Sequence, residues 1–218
     1  MNKLITFEGV DGCGKSTQLK HVAAWLRGRG CDVVTTFEPG DTALGKEIRR
    51  LLLAGEFVPV AESELLLFLA DRAQHVREVI QPALAAGAWV LCDRFSDSTL
   101  AYQLAARQLG DVTHLNDFDH LKDMLAFAEC GVSPAATLWF DVPVDEAMRR
   151  MKKRAEAGEK PTRLDDEAVS FHQRVAAAFT QQYVETSGRI LRLDASQGID
   201  SVAQQVKSVL SQRFEVLS

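Results

Sequence analysis

The stretch GVDGCGKST, at residues 9–17, follows directly on the short apolar run LITF. Gly9, Gly14, Lys15 and Ser16 fit the pattern G-x-x-x-x-G-K-[ST], in which glycines let backbone N–H groups converge on a phosphate. The apolar run predicts a strand, and the pattern that follows predicts a helix whose positive end faces the same anion. In such a loop the lysine reaches the β- and γ-phosphates of a nucleotide, and the hydroxyl binds Mg²⁺. The stretch therefore predicts a phosphate cradle, with a glycine-rich turn and an unrelated lysine as the alternative.

Short apolar runs alternate with longer amphipathic patterns along the chain. The runs lack a clean polar–apolar alternation, which is typical of strands buried on both faces of a parallel sheet. The sequence therefore predicts an α/β fold in which helices cover a parallel sheet. Strands are expected at residues 4–7, 32–37, 89–92, 137–142 and 190–195. Helices are expected near residues 15–29, 43–54, 61–86, 98–109, 113–129, 144–157, 165–186 and 199–213.

Composition narrows the class of protein. With 218 residues and 46% hydrophobic content, the chain is expected to form one domain, residues 1–218, with its own core. The formal net charge of −5 gives no general basic surface for nucleic acid or an anionic membrane. The four cysteines are widely spaced, the five histidines show no metal-ligand spacing, and neither a signal peptide nor a membrane span is evident. We therefore expect a cytoplasmic protein with one mobile flap, AEAGEKPTRLDD at residues 155–166.

A carboxylate and a cation follow the predicted strand WVLC. Asp93 and Arg94 come directly after it, and ligands of open α/β sheets bind beyond the carboxyl ends of the strands. Asp93 is therefore expected to hold Mg²⁺, directly or through water, and Arg94 to clamp a phosphate. A surface ion pair at the strand end is the alternative.

The segment LLLFLADRAQH suggests where a second molecule binds. Phe68 and Arg72 are four residues apart, so on a helix they share a face, where a ring can stack on a nucleobase and a guanidinium can bond its edge. A phenylalanine such as Phe68, read alone, is more often a core residue. In DSTLAYQ the same spacing pairs other candidates for a sugar and base pocket. These are Ser98 with Tyr102, and Thr99 with Gln103.

Four segments, in order, resemble the main motifs of bacterial thymidylate kinases: FEGVDGCGKST, EPGDTALGKEIR, LLLFLADRAQH and DRFSDSTLAYQ. The resemblance resumes at FDVPVDEAMRR and TRLDDEAVSFHQRV. It implies the nucleoside monophosphate kinase fold, with five parallel strands, helices on both faces and a lid at about residues 150–166. It also implies transfer of a phosphoryl group from ATP to dTMP, giving dTDP and ADP for dTTP biosynthesis, with Mg²⁺ and in a homodimer.

The resemblance assigns residue roles by motif. Asp11 would lie near the acceptor sugar and the metal, Phe68 would stack on thymine, and Arg72 would bond the edge of the base. Arg94 would hold the acceptor phosphate, and Tyr102 would pack near C2′ and disfavour a ribose. The remaining acceptor residues would be Glu38, Arg49 as a second phosphate clamp, Ser98, Thr99 and Gln103. The donor residues would be Gly9, Gly12, Gly14, Lys15, Ser16, Thr17 and Arg150.

The catalytic arginine distinguishes members of this family. Some members carry it in the phosphate loop directly after the aspartate, where this chain has Gly12, and bacterial-type members supply it from the lid. The run MRRMKKR places Arg150 and Arg154 one helical turn apart, and Arg163 follows the flap. We favour Arg154 as the catalytic arginine, with Arg163 next. A solvated basic helix face is the alternative reading of this run.

The chain also departs from the family pattern. Where the family commonly reads R-E-P-G-G-T, this chain has Phe37 in place of the arginine and Asp41 in place of a glycine. An acid there would lie near the entry of an anionic acceptor. These departures keep two alternatives open: a kinase for another deoxynucleotide or deoxynucleoside, and a degenerate paralogue of low turnover. A GTP-operated switch is an alternative from another class of protein. The switch lacks support because neither Asn2 nor Asn116 begins an N-K-x-D motif.

Overall fold

The fold is built on one five-stranded sheet. A computed structural model describes residues 2–109, 118–186 and 188–214. All paired strands are parallel, in the order β2–β3–β1–β4–β5. Because β1 lies between β3 and β4, its carboxyl end is the point where the strand order changes direction, and ligands of such sheets bind there. The strands are β1 (Leu4–Glu8), β2 (Val33–Phe37), β3 (Trp89–Asp93), β4 (Ala136–Asp141) and β5 (Ile190–Asp194).

Helices connect the strands and complete the layers. The helix α3 passes through a π-helical turn, Val76–Ile80, into α4, and the short α5 continues as a π-helical segment, Leu100–Ala106. The helix α2 begins at a side-chain cap, since the Thr42 hydroxyl accepts a hydrogen bond from the Gly45 N–H at 2.8 Å. The helices are α1 (Lys15–Arg27), α2 (Ala43–Leu53), α3 (Ala61–His75), α4 (Gln81–Ala85), α5 (Ser96–Thr99), α6 (Phe118–Ala128), α7 (Val144–Glu156), α8 (Val169–Glu185) and α9 (Ile199–Arg213).

Helices cover both faces of the sheet, as the sequence predicts. Neighbouring residues of a strand point to opposite faces. Leu4 of β1 packs in a buried cluster with Val76 and Ile80, whereas Ile5 packs in another with Leu19. Burial on both faces explains why LITF is continuously apolar rather than alternating.

The predicted helices differ from the structure mainly at their ends. The helix expected at 113–129 is observed as α6 from Phe118, and residues 110–117 lie outside the described part of the chain. The helix expected from 165 begins at Val169, because the Asp165 carboxylate accepts hydrogen bonds from the backbone N–H (2.8 Å) and hydroxyl (2.9 Å) of Thr162 in a local turn. Within residues 2–109, 118–186 and 188–214, no helix is long and apolar enough to cross a membrane.

Candidate active site

The glycine-rich stretch forms a tight loop between β1 and α1. Gly9 has φ 138°, and a Cβ there would lie 2.7 Å from the Phe140 carbonyl oxygen, so a side chain is excluded by both conformation and space. The helix α1 starts at Lys15, and its N-cap residue, Gly14, provides no side-chain cap. The first N–H groups of α1 are therefore directed at the loop, as the binding of an anion requires.

The lysine and serine of the loop are positioned by neighbouring oxygens. Lys15 is buried, and its Nζ donates to the carbonyl oxygens of Gly9 and Val10 at 3.0 Å each. The Ser16 hydroxyl donates to the Asp93 carboxylate across 2.7 Å. A hydroxyl and a carboxylate oxygen at this separation are the kind of ligands that Mg²⁺ prefers, so these two residues fit a magnesium ion.

One large cavity is lined by both the phosphate-loop residues and the residues predicted to bind the acceptor. Its volume is about 1160 Å³, and it lies at the carboxyl ends of β1, β2 and β3. Among the predicted residues, Gly9 and Arg163 do not line it. Those that do are Asp11, Gly12, Gly14, Lys15, Ser16, Thr17, Glu38, Arg49, Phe68, Arg72, Asp93, Arg94, Ser98, Thr99, Tyr102, Gln103, Arg150 and Arg154.

The Arg94 guanidinium connects the phosphate loop to the end of β3. It donates to Asp11 at 2.5 Å, to the Ser98 hydroxyl at 2.9 Å and to the Tyr102 hydroxyl at 3.1 Å, and it stacks over the Tyr102 ring. The Tyr102 hydroxyl in turn donates to the other Asp11 oxygen at 2.8 Å. The alternative of a surface ion pair between Asp93 and Arg94 is therefore not what the structure contains, since Arg94 is committed to Asp11.

The buried Glu8 contacts the residues on either side of this arrangement, Phe95 and Ser98. Arg94 has φ 72°, a left-handed conformation that is unusual for a residue with a side chain. The next N–H, that of Phe95, donates to the Glu8 carboxylate at 2.7 Å, and the Ser98 hydroxyl donates to its other oxygen at 2.5 Å. Glu8 therefore fixes both the backbone beside Arg94 and one of the hydroxyls that Arg94 contacts.

The pKa values of the two acids at this end of β1, Glu8 and Asp11, are shifted in opposite directions. Burial and the nearby charge of Asp97 raise the pKa of Glu8 to about 8. Burial also acts to raise the pKa of Asp11, but the Arg94 guanidinium, Lys15 and the Tyr102 hydroxyl outweigh it and hold that pKa well below the ordinary value. Asp11 is therefore ionised at any working pH.

The base-binding candidates lie on α3. Arg72 is buried, with its Nε donating to the Glu38 carboxylate at 2.9 Å and a terminal nitrogen donating to the Thr99 hydroxyl at 3.0 Å. Phe68, one turn earlier, is half-buried and lines the cavity, so it serves partly as core and partly as cavity wall. The predicted shared face of Phe68 and Arg72 is therefore present.

The two departures after β2 occupy defined positions. The Phe37 ring packs beneath the Arg49 guanidinium, with 5.6 Å from its carbon to the ring centroid, while Arg49 donates to the Pro39 carbonyl oxygen at 2.7 Å. The Asp41 carboxylate accepts from the Thr36 hydroxyl at 2.5 Å, and Asp41 does not line the cavity. The carboxylate of Asp41, which the sequence leads us to expect near the entry of the acceptor, is thus hydrogen-bonded to Thr36 and lies outside the cavity lining.

A second buried glutamate, Glu64, contacts part of the predicted lid segment. Glu64 accepts hydrogen bonds from Gln103 (2.9 Å) and Arg107 (3.1 Å), and it pairs with Arg163. Arg163 also donates to the Leu52 carbonyl oxygen at 3.0 Å. The guanidinium of Arg163 therefore ties the segment after α7 to α2 and α3, and Arg163 does not line the cavity.

The basic run of α7 reaches the cavity. Arg150 donates to Glu146 at 2.7 Å and to the Ala195 carbonyl oxygen at 3.0 Å, and Arg154 pairs with Glu159 at 3.3 Å. Arg149, which the sequence reasoning does not single out, also lines the cavity and pairs with Glu146 at 2.7 Å. Arg154 and its partner Glu159, on the segment after α7, are both about half exposed. An exposed ion pair is weak, so this contact is the easiest of the three to exchange for a contact with a ligand.

Sequence reasoning missed three buried groups that organise the site. Glu8 and Glu64 contact Ser98 and Gln103, two predicted acceptor residues, and His75 contacts Glu38. The available signal was an acid or imidazole inside an otherwise apolar segment: Glu8 ends the run LITFE and Glu64 precedes LLLFLA. A buried ionisable group of this kind needs a partner, and here the partner is part of the site.

The geometry defines the class of protein. A phosphate loop lies at the switch point of a five-stranded parallel sheet and shares one cavity with a second cationic pocket. This is the arrangement of a P-loop nucleoside monophosphate kinase. The family model for thymidylate kinase matches residues 7–206. The chain belongs to the thymidylate kinase family.

Full-length relatives agree with this assignment. A thymidylate kinase of Nostoc punctiforme is 41% identical over 210 residues, covering 95% of each chain. Those of Gloeobacter violaceus (42%, covering 94% of this chain and 93% of the relative) and Chromobacterium violaceum (41%, covering 98% and 95%) are similarly related. The chain is thus similar to these proteins over nearly its whole length.

Substituting Glu8 by glutamine tests its buried charge. Because the pKa of Glu8 is raised from 4.5 to about 8, its contribution to stability is complete below pH 4.5 and is lost as pH rises through 8. The free energy of unfolding of wild type minus that of Glu8→Gln should therefore fall between pH 5 and pH 8, by on the order of a few kcal/mol. Urea unfolding at pH 5, 6.5 and 8 measures it, with the exposed Glu62→Gln as the control for one lost charge. A difference that is constant or rises with pH contradicts the buried, protonated Glu8.

Proposed function

We propose that this chain transfers the γ-phosphoryl group of ATP to dTMP, giving ADP and dTDP for dTTP biosynthesis. The observation that carries the proposal is the Asp11–Arg94 contact, which joins the phosphate loop to the acceptor half of one cavity. Family membership gives the reaction, and the cavity supplies a place for both nucleotides.

The donor half binds the triphosphate by charge and backbone N–H groups. Lys15 exchanges its contacts with the Gly9 and Val10 carbonyl oxygens for the β- and γ-phosphates, and the uncapped start of α1 adds its N–H groups. Ser16 and Asp93 would hold Mg²⁺, which supplies charge neutralisation for the phosphates when bound. These contacts select for a triphosphate and leave its terminal group facing the acceptor.

The acceptor half is shaped for a nucleoside monophosphate. Phe68 provides a ring for stacking on the base, and Arg72 lies one turn away on the same helix. Arg94 and Arg49 place two guanidinium groups at the cavity wall, where an anionic acceptor would be clamped. The two cations favour an acceptor that already carries a phosphate over a nucleoside.

Asp11 acts through its charge rather than as a base. The attacking atom is a phosphate oxygen of the acceptor, which needs no proton removed. Since the pKa of Asp11 is held low by Arg94 and Lys15 against the effect of burial, its carboxylate takes up no proton at working pH. Its two oxygens orient Arg94 and the Tyr102 hydroxyl. The Tyr102 ring would then lie beside the sugar of the acceptor.

An acceptor screen tests the reaction. Among dTMP, dUMP, dCMP, dGMP and thymidine, dTMP should give the fastest release of ADP. Lys15→Ala should lower the turnover of dTMP about a hundredfold, because a preorganised charge contact is removed. Arg72→Ala should raise the KM for dTMP while leaving the KM for ATP unchanged. Faster turnover of thymidine than of dTMP contradicts the monophosphate acceptor, and dTMP turnover near background in the wild type supports a degenerate paralogue instead.

The lid arginine can be identified by comparing variants on one helix. We propose Arg154 as the arginine that stabilises charge in the transition state, because it lines the cavity and its contact with Glu159 is solvent-exposed. Arg154→Ala should lower kcat about a hundredfold with little change in either KM. Arg149→Ala is the matched comparison, and an equal or larger loss of kcat there reassigns the role to Arg149.

We also propose a cytoplasmic homodimer. Large apolar side chains are exposed on α3 and α6, among them Leu66 (55%) and Phe127 (83%), and the family resemblance implies a dimer. Sedimentation velocity should give twice the chain mass of 24.0 kDa. Phe127→Asp is expected to shift the distribution toward monomer. The control is Phe57→Asp, at a phenylalanine that is 55% exposed and lies outside these helices. A wild type of single-chain mass at micromolar concentration contradicts the dimer.

A further inference from the structure

A buried polar network lies behind the base-binding candidates. It runs from Asp41 through Thr36, His75 and Glu38 to Arg72, joining β2, the loop after it and α3. All its members except Asp41 expose 5% or less of their surface. A network this deep needs every donor and acceptor matched, so its hydrogen-bond directions can be worked out.

The directions of these hydrogen bonds follow from the Thr36 hydroxyl, which has only one proton to donate. The Thr36 hydroxyl donates to Asp41 at 2.5 Å, so it can only accept from His75 Nε2, also at 2.5 Å. On the other side of the ring, Nδ1 faces the Glu38 carboxylate at 2.8 Å, and a carboxylate only accepts. With hydrogen bonds in these directions, both nitrogens of His75 donate, as they do in an imidazolium.

The charges around the ring agree with this assignment. The groups that face His75 are Glu38, the Asp41–Thr36 pair, Asp71 on the same helix and the Cys92 thiol. Burial and Glu38 raise the pKa of Asp71 to about 6 and His75 acts against this rise, while burial raises the pKa of Cys92 and keeps it neutral. With a neutral ring, Glu38 would keep Arg72 as its charged partner, while Asp71 also interacts with Arg49.

The network reaches the cavity through Arg72. Glu38 binds its Nε at 2.9 Å and one terminal nitrogen at 2.8 Å, and Thr99 binds the other terminal nitrogen at 3.0 Å. The guanidinium also lies flat against the Phe95 ring, 4.9 Å from its centroid. Its orientation is thus set by Glu38, and Glu38 is held by the charged His75.

We propose that His75 and Asp41 are positioning residues for the acceptor: Asp41, through Thr36, keeps His75 doubly protonated, and His75 holds Glu38 so that Arg72 is aimed at the base. The proposal rests on the proposed function, because it concerns the recognition of the dTMP base. It assigns a role to Asp41, the acid that stands where related sequences commonly have glycine.

A metal site is the competing use of the same side chains. One ligand atom from each of Glu38, His75 and Cys92 lies within 4.8 Å of the others. Both His75 nitrogens are already engaged, however, and the thiol is kept protonated by burial. The ring has no lone pair to offer while these contacts persist, so the cluster is a hydrogen-bond network.

The protonation state is tested by NMR on the full chain labelled with ¹⁵N-histidine, with His75→Gln identifying the His75 signals. Wild type at pH 7.5 should show two protonated nitrogens on His75. Asp41→Ala should show one, because the released Thr36 hydroxyl can then donate to Nε2. A single protonated nitrogen in the wild type, or a stoichiometric bound zinc ion in the purified chain, overturns the proposal.

Steady-state kinetics distinguish a role in positioning Arg72 from a role in stabilising the fold. His75→Gln and Asp41→Ala should each raise the KM for dTMP about tenfold while kcat stays within about twofold and the KM for ATP is unchanged. The control is Asp32→Ala, which removes an exposed carboxylate just before β2 and should change neither KM. Lower kcat and melting temperature with an unchanged KM for dTMP would mean a structural role only and would overturn the proposal. If wild type itself does not phosphorylate dTMP, the proposed function fails, which the wild-type assay shows independently of the variants.

Discussion

The ion pair between Arg94 and Asp11 is the contact on which the site depends. The two residues follow β3 and β1, which are neighbours in the sheet, so the pair ties the end of one strand to the phosphate loop of the next. Arg94 reaches Asp11 from a left-handed backbone conformation that costs about 1 kcal/mol or more. Its N–H donates to the Phe7 carbonyl oxygen at 3.0 Å, and the hydrogen bond of Phe95 to Glu8 holds the following peptide, so the sheet itself stabilises the strained residue.

Three buried glutamates share one task around the cavity. Glu8 contacts Ser98, Glu38 contacts Arg72, and Glu64 contacts Gln103, so each acid orients a residue that the sequence places at the acceptor. Each is almost completely buried, and a carboxylate in such a position requires hydrogen-bond donors or a proton. Glu38 and Glu64 are matched by arginines, whereas Glu8 has hydroxyl and amide donors and a raised pKa. The side chains predicted to bind the acceptor are therefore oriented by buried carboxyl groups behind the cavity wall.

The sequence predicts the parts of the site that lie close together along the chain. The phosphate loop, the five strands and the Phe68–Arg72 face depend on local spacing, and they occur in the structure at nearly the predicted positions. The partners of Glu8 and Glu64 are distant along the chain: Ser98 is 90 residues from Glu8, and Gln103 is 39 from Glu64. Periodicity cannot show such pairs. It also gives no reason to expect that Arg163 contacts Glu64 and the end of α2, since that depends on how the segment after α7 packs against α2 and α3.

The glycine at position 12 and the basic face of α7 are two aspects of one packing arrangement. A Cβ on Gly12 would lie 2.3 Å from the Ala147 carbonyl oxygen and 3.0 Å from the Met151 side chain, so α7 occupies the space beside the loop. An arginine at position 12, as in some family members, would require α7 to move away. The same helix brings Arg150 and Arg154 to the cavity. Close packing of α7 on the loop therefore excludes an arginine at position 12 and brings arginines of α7 to the cavity instead, which supports the proposal that one of them is the catalytic cation.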